Sequence, residues 1–351
     1  MRVGYDAAPL LGARTGVGRY AGELAQALRE RGVEIVPFAV SWRAPGAAGI
    51  RRWRVPARAA RAAWRRWNRP PIERLTGDVD LVHATNFVLP ALRRAPGVVT
   101  VHDLSFFRDD TWPGGHLLRA LVPWSVARAA AVIVPTSAIA TEVCDRLRVP
   151  EHKVHVTPEG VATVFFGAGA LGEAALARLG IPGPFVVAAG TIEPRKNLPT
   201  LLDAWRRVAR DLEGWTLVLA GPQGWGPELP RTEGVLPIGW VGDETLPGLL
   251  AAAELFCYPS SYEGFGLPPL EAMAAGTPAI VGRYSAAEEV LGDAAVLVDP
   301  GDAGAFAEAL RTLGSDASLR RSYVVAGKAQ AAGYTWTRTA ATTMAAYRSI
   351  L

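Results

Sequence analysis

The chain reads as an α/β protein made of two parallel-sheet domains. Short β-branched runs alternate with amphipathic segments along nearly its whole length, the pattern of strands joined by crossover helices. The alternation comes in two series separated by a glycine-bearing connection. A chain of 351 residues, 50% apolar and 20% charged, has material for two cores, at roughly 150 residues per domain.

In order, the first series places strands at 3–6, 34–38, 81–84, 98–102, 131–135 and 154–157. The break follows at 160–169. The second series runs PFVVAAG, WTLVLAG, LPIGWVG, ELFCYPS, TPAIVG and AVLVD, with helical periodicity between strands, as at 198–212. These elements set expected domains at 1–165 and 166–334, and the helical pattern of 335–351 suits a return to brace the first domain. There is no short tandem repeat.

Composition narrows the class. MRVGYDA at the N-terminus is strand-like without an apolar signal core, and no apolar run approaches the ~18 residues of a membrane span, so a cytoplasmic protein is expected. Cys144 and Cys257 stand in apolar settings without metal-ligand spacing, which fits burial in a reducing compartment. Charge is unevenly divided: 23 basic against 14 acidic residues up to Phe165, and 14 against 19 beyond, a net of +9 and of −5. Much of the excess lies in RRWRVPARAARAAWRRWNRP, residues 51–70. There Arg54, Arg58, Arg61, Arg65 and Arg69 recur at helical spacing beside Ala57, Ala60, Trp64 and Trp67. Such a stripe suits peripheral contact with anionic lipid at the inner face of the membrane, or simply a solvated face.

Ligands of open parallel sheets bind beyond the carboxyl ends of strands. After the first strand, in LLGARTGVGRY, Gly16 and Gly18 leave backbone N–H groups unobstructed at a helix start, as an anion or a tight turn would need. VVTVHD puts His102 and Asp103 at a strand end, where a histidine is either structural or functional. In GTIEPRKN, Gly190 and Thr191 close the first strand of the second series. Arg195 and Lys196 then sit at a helix start, unfavourable for cations unless an anion joins them. SYEGFGLPPLEAMAAGTP sets Glu263 and Glu271 eight positions apart around a glycine turn. Pro268 and Pro269 supply no N–H, so donors to an anion come from Gly264, Phe265, Gly266 and Leu267. Glu271, about one turn into the helix, can face a ribose diol, and Glu263 can reach a sugar on the other side of the phosphates. A nucleotide-sugar, hydroxyl-rich at both ends and anionic in its middle, accounts for this framing; two ordinary helix-flanking glutamates are the alternative.

EPRKN and EGFGLPPLEA, with TGVGRY, TVHDLSF and GDAAVLVDP, resemble retaining glycosyltransferase family 4, and more narrowly its mannosyltransferase-like bacterial members, over almost the whole chain. The resemblance implies the GT-B fold, two Rossmann-like domains facing a cleft, with the acceptor on the N-terminal domain and the donor on the C-terminal one. It implies no cofactor beyond the nucleotide-sugar donor, GDP-mannose as the leading donor with a UDP-sugar as the alternative, and a saccharide or lipid-linked acceptor. By the same resemblance Arg195 and Lys196 form the diphosphate clamp and Glu263 contacts the sugar. Glu271 binds the ribose, His102 hydrogen-bonds the sugar with Asp103 as a second participant, and Gly16 and Gly18 lie near the phosphates. Val241 belongs to a segment, 239–241, whose backbone meets the base. Two departures stand out: Ser285, Ala286, Ala287 and Glu288 lack the proline common in relatives, and Glu159 replaces a common asparagine.

Rival classes fit less of the chain. An epimerase or phosphorylase shares the fold. A nicotinamide dehydrogenase needs a third glycine that TGVGRY lacks. A nucleic-acid-binding protein using the arginine stripe leaves both second-domain motifs unexplained. Asp78 and Asp80 spell the D-x-D of metal-dependent transferases, but they precede a strand of the acceptor half and read more simply as turn and strand-edge residues; no metal is expected.

Overall fold

A computed structural model describes residues 1–12, 16–42, 49–109 and 111–351. It divides into two compact units, Met1–Gly160 with Trp336–Leu351, and Val161–Thr335.

Seven parallel strands among the described residues form the sheet of the first unit: β1 (Arg2–Asp6), β2 (Glu34–Val40), β3 (Arg51–Trp53), β4 (Leu81–Ala84), β5 (Gly97–Thr100), β6 (Ala131–Val134) and β7 (Val154–Val156). Their order is β3-β2-β1-β4-β5-β6-β7. Six parallel strands form the second sheet: β8 (Phe185–Ala189), β9 (Thr216–Ala220), β10 (Val235–Gly239), β11 (Leu255–Tyr258), β12 (Ala279–Gly282) and β13 (Val296–Val298), in the order β10-β9-β8-β11-β12-β13. Each sheet therefore reverses direction of growth once, between β1 and β4 and between β8 and β11. Helices cover both faces of the strands, which is why the strands are apolar at successive positions rather than alternating. In β11, Phe256 and Tyr258 join one core, while Leu255 and Cys257 join the other with Trp205 and Phe306.

Three expectations are revised by packing. The first unit ends at Gly160 rather than Phe165, because the Val161 N–H donates to the Tyr334 carbonyl at 3.0 Å and Phe165 is buried in the second unit's core. Cys257 is buried but Cys144 only partly so; its helix, Ser137–Leu147, sends Ile139 and Val143 inward. The arginine-rich stretch is not one helix. Residues 51–53 are an edge strand against β2, and the helix is Ala57–Trp67, so Arg54 and Arg69 lie outside it. Within it Ala60 and Trp64 pack against Phe38, Ile72 and Val82, while Trp67 is 66% exposed. Among the described residues no helix is long and apolar enough to cross a membrane.

The last helix, Trp336–Arg348, belongs to the first unit. Trp336, Ala340, Met344 and Tyr347 pack with Tyr20 and Leu24 of helix Gly16–Glu30. The Tyr347 hydroxyl lies 2.7 Å from Nδ1 of His83, whose Nε2 lies 2.7 Å from Thr100 Oγ1. Burial pushes the His83 pKa down to about 3, so the ring is neutral and one of its nitrogens must accept. Thr339 Oγ1 donates to the Pro158 carbonyl at 2.7 Å. Tyr347→Phe removes the hydroxyl partner from a site that water does not reach, and should lower the unfolding free energy by about 1–3 kcal/mol. Urea titration measures this; a change under ~0.5 kcal/mol would mean the bond is not part of what holds the helix.

Candidate functional site

The carboxyl edge of the second sheet is built by close backbone approach. The Gly190 N–H donates to the Ala220 carbonyl at 2.9 Å. A Cβ on Gly221 would lie 1.9 Å from the Gly190 oxygen, so only glycine fits there. Gly190 itself has φ +135°, and Lys196 folds back over it, Cε 3.5 Å from where a Cβ would stand. Arg195 and Lys196 lie in a single 3-10 turn, Pro194–Lys196, ahead of helix Leu198–Val208. Asn197, with φ 52°, joins the two. Its Nδ2 donates to the Pro300 carbonyl at 2.6 Å, and its Oδ1 accepts from Thr200 Oγ1 at 2.9 Å, which fixes the turn against the loop after β13.

From the loop after the neighbouring strand β11 comes the carboxylate that meets these cations. Glu263, 9% exposed, accepts at Oε1 from Lys196 Nζ at 2.7 Å, from the Tyr258 hydroxyl at 2.9 Å and from Ser260 Oγ at 2.9 Å. Its Oε2 is ion-paired with Arg195. Arg195 also donates to Glu193 Oε1 at 2.7 Å and to the Tyr262 carbonyl at 3.0 Å, and Lys196 donates to Tyr258. Two cations and two carboxylates thus share one partly dry cluster, and the helix-start conflict read from the sequence is resolved inside the protein. Burial alone would raise the Glu263 pKa; the pull of Arg195 and Lys196 outweighs it and holds the carboxyl at about 2. Burial lowers the pKa of Lys196 while Glu263 works against the shift, and burial, with Glu263 beside it, raises that of Tyr258. Glu263 was expected to face a sugar; here it is the counter-charge of the cations.

The glycine turn is buried. Gly264, Phe265, Gly266 and Leu267 are all shielded, and Gly266, with φ +104°, caps helix Leu267–Ala275. Phe265 sends its ring into the core, 5.6 Å from that of Tyr334, so it can offer a ligand its backbone only. A Cβ on Gly266 would lie 2.9 Å from the Tyr284 hydroxyl, which is buried without a hydrogen-bond partner among the described residues. Glu271, 2% exposed, sits in the second turn of the helix. Gly190, Thr191, Lys196, Tyr258 and Pro259 line a small cleft. Val241, half-buried, follows β10 after the exposed Trp240, at some distance in sequence from that lining.

The first unit holds the remaining candidates. His102, 8% exposed, points Nε2 at the Thr85 carbonyl, 2.9 Å away, and Nδ1 at Glu159 Oε1, 3.4 Å away; Tyr20 and Phe87 meet its ring edge to face at 4.7 and 5.7 Å. Asp103 accepts at Oδ1 from the Ser105 N–H at 2.9 Å and from Ser105 Oγ at 2.6 Å, a local turn that already occupies that oxygen. Gly16 is the exposed first residue of helix Gly16–Glu30 and Gly18, two positions on, is buried; residues 13–15 of the same motif lie outside the described ones. Asp80 accepts the Arg2 N–H at 2.7 Å, and the Asp78 carbonyl accepts from the Arg2 guanidinium at 2.7 Å, both at the amino edge of the sheet. Five polar residues escaped sequence reasoning as members of the site: Glu193, Tyr258, Ser260, Tyr284 and Glu159. Only Glu159 carried a signal, its replacement of a common asparagine.

Residues 183–316 match the family described as glycosyl transferases group 1, and residues 14–165 match glycosyltransferase family 4. The chain is 31% identical over 284 residues to O-antigen chain mannosyltransferase B of Escherichia coli, covering 76% of this chain and 74% of that one. It is 33% identical over 231 residues to an MMP alpha-(1->4)-mannosyltransferase of Mycolicibacterium hassiacum, covering 63% and 54%. Among solved structures it is similar to the sucrose-phosphate synthase of Thermosynechococcus elongatus, with a TM-score of 0.78 and 20% identity over 99% of this chain and 98% of that one.

The ionic cluster has a pH signature. The folded pKa of Glu263, about 2, lies below its ordinary 4.5, so its contribution is full above pH 4.5 and fades as the pH falls toward 2. Glu263→Gln should therefore be less stable than the parent by on the order of 3 kcal/mol at pH 7, with the gap narrowing below pH 4.5. Urea unfolding at a series of pH values reads it out; a gap that is absent at neutrality, or that widens in acid, would contradict the arrangement.

Proposed function

Because this chain belongs to the glycosyltransferases of group 1 and family 4 and carries the GT-B fold, we propose that it transfers mannose from GDP-mannose to a hydroxyl of a saccharide or lipid-linked acceptor, with retention at the anomeric carbon. The second unit binds the donor and the first unit the acceptor. The observation that carries this reading is the cluster of Arg195, Lys196 and Glu263 beside the glycine turn, at the reversal point of the second sheet, where open parallel sheets take their ligands. Mannose is supported by the mannosyltransferase relatives.

Glycosyl transfer passes through an oxocarbenium-like state as the diphosphate departs with growing negative charge. Lys196 has three N–H donors and spends two, on Glu263 and Tyr258. The third, at the edge of the cleft, is available to a phosphate oxygen. Glu263 holds both cations in place before the donor arrives, so their charge needs no reorganisation at the moment of bond cleavage. The amides of Gly264 to Leu267 add donors at a helix start. Glu271 takes the ribose hydroxyls, the backbone at 239–241 and Val241 meet the base, and Gly190 and Thr191 let the diphosphate come close to the strand ends. On the first unit Gly16 and Gly18 approach the phosphates, and His102, fixed by Thr85 and Glu159, hydrogen-bonds the transferred sugar, with Asp103 beside it. In the retaining course the leaving phosphate accepts the acceptor's proton on the same face. Arg195 and Lys196 supply the neutralising charge, and Asp80 is occupied by Arg2 at the far edge of the sheet; transfer therefore proceeds without a divalent metal.

Arg195→Ala and Lys196→Ala should each lower kcat about 100-fold or more, as expected when a donor to developing charge is lost, while Glu271→Ala chiefly weakens nucleotide binding. GDP should raise the parent's Tm, and turnover should survive EDTA. Unchanged kinetics in all three variants would sink the donor site, and a Tm shift with UDP but not GDP would make the donor a UDP-sugar.

The outer face of helix Ala57–Trp67 supports contact with anionic lipid near a lipid-linked acceptor. Arg58, Arg65 and Arg66 are exposed beside Trp67, whereas Arg61 turns inward and does not belong to that face. The protein should co-sediment with anionic but not neutral vesicles, and Arg58→Glu with Arg65→Glu should abolish this. Equal sedimentation of parent and double variant would leave the face as a solvated one.

A further inference from the structure

The start of helix Leu267–Ala275 stands over a side chain whose polar atom no hydrogen bond in the second unit uses. β12 ends at Gly282, and its loop runs hard against the one after β11: a Cβ on Gly282 would lie 2.2 Å from the Ser260 carbonyl oxygen. That approach is open only to glycine, and two residues later it brings Tyr284 against the glycine turn. A Cβ on Gly266 would lie 2.9 Å from the Tyr284 hydroxyl, so the missing side chain at 266 is what leaves the hydroxyl its place. Gly266 is the N-cap of a nine-residue helix and has no side chain to offer its first amides.

Tyr284 is 7% exposed, and its hydroxyl is buried without a hydrogen-bond partner among the described residues. Nothing nearby in the ionic cluster calls for it. Glu263 already accepts at Oε1 from Lys196, Tyr258 and Ser260, and its Oε2 is paired with Arg195. Tyr284 also precedes helix Ser285–Leu291 without capping it through its side chain. Burial, and after it Glu263, raise the Tyr284 pKa, so the hydroxyl keeps its proton at neutral pH and can donate. An unpaired hydroxyl in a dry place costs stability that a phenylalanine ring of the same shape would not.

We propose that the Tyr284 hydroxyl donates to a phosphate oxygen of the nucleotide-sugar seated at the start of helix Leu267–Ala275, as the one side-chain donor in an anion site otherwise made of backbone amides. The helix start selects the class of ligand, because its free N–H groups and dipole favour an anion. Tyr284 supplies a neutral donor where Gly266 has none. The hydroxyl lies under the turn, so the contact forms as the 264–266 segment gives way to the arriving phosphate, a shift that its two glycines permit. This inference rests on the reading of the second unit as the donor site.

The test is isothermal titration of GDP, UDP and inorganic pyrophosphate into the parent and Tyr284→Phe, with the Tm of both unliganded proteins. The expected result is that the parent binds pyrophosphate and at least one nucleotide, that Tyr284→Phe binds both about tenfold more weakly, and that its Tm equals or exceeds the parent's. Equal affinities in parent and variant overturn the contact while leaving the donor site standing. A Tm clearly lowered in Tyr284→Phe also overturns it, since the hydroxyl would then have a partner within the fold. A parent that binds neither nucleotide is the separate failure of the donor reading, told apart by pyrophosphate, which carries neither base nor sugar: its weakening in Tyr284→Phe would still support the anion site, and a parent that binds none of the three ligands overturns both.

Discussion

The second unit is organised around one electrostatic constraint: Arg195 and Lys196 lie in a poorly hydrated place, and Glu263 meets both charges there while Glu193 meets that of Arg195 a second time. Taking one carboxylate away from such a cluster leaves an uncompensated buried charge, while replacing the whole cluster with apolar groups is often neutral or stabilising. Stability alone gives no reason to keep it. Much of the surrounding backbone answers to this constraint. Gly190 and Gly221 permit two strand ends to pass close enough for Lys196 to fold over them. Asn197 takes a left-handed conformation to aim the turn, and Tyr258 and Ser260 fill the remaining lone-pair directions of Glu263.

The two sheets solve the same geometric problem with different chemistry. Both reverse their order once, and both place polar side chains at that crevice. In the second sheet the groups are fully charged and locked together, suited to a diphosphate. In the first, Thr85 and His102 are linked to the end of β1 through single hydrogen bonds. The last helix contributes to the first set from behind: Tyr347 holds His83, His83 and Tyr20 hold Thr100, and the Tyr20 ring packs against His102.

Much of the fold was legible because strand and helix signals are local. All six expected strands of the first sheet fall within two residues of the observed ones; that at 98–102 ends two residues late because Val101 and His102 already belong to the loop. β3 was missed because arginine and tryptophan on an exposed edge mimic one turn of an amphipathic helix; only pairing with β2 distinguishes them. The glycine turn, the proline pair and both glutamates were placed correctly relative to one helix.

The sequence by itself determined the α/β class, the two series of strands, the positions of Arg195, Lys196 and Glu263 beyond strand ends and that of Glu271 about one turn into a helix, since each depends on residues within about one element of one another. Which groups meet was decided by tertiary structure. Glu263 bonds Arg195 across 68 positions of sequence because β11 docks beside β8, and Arg61 is less exposed than Arg58 and Arg65 of the same stripe because the helix packs by Ala60 and Trp64. Strand order and helix rotation are set by long-range burial, and periodicity carries no record of which distant partner a polar side chain will face.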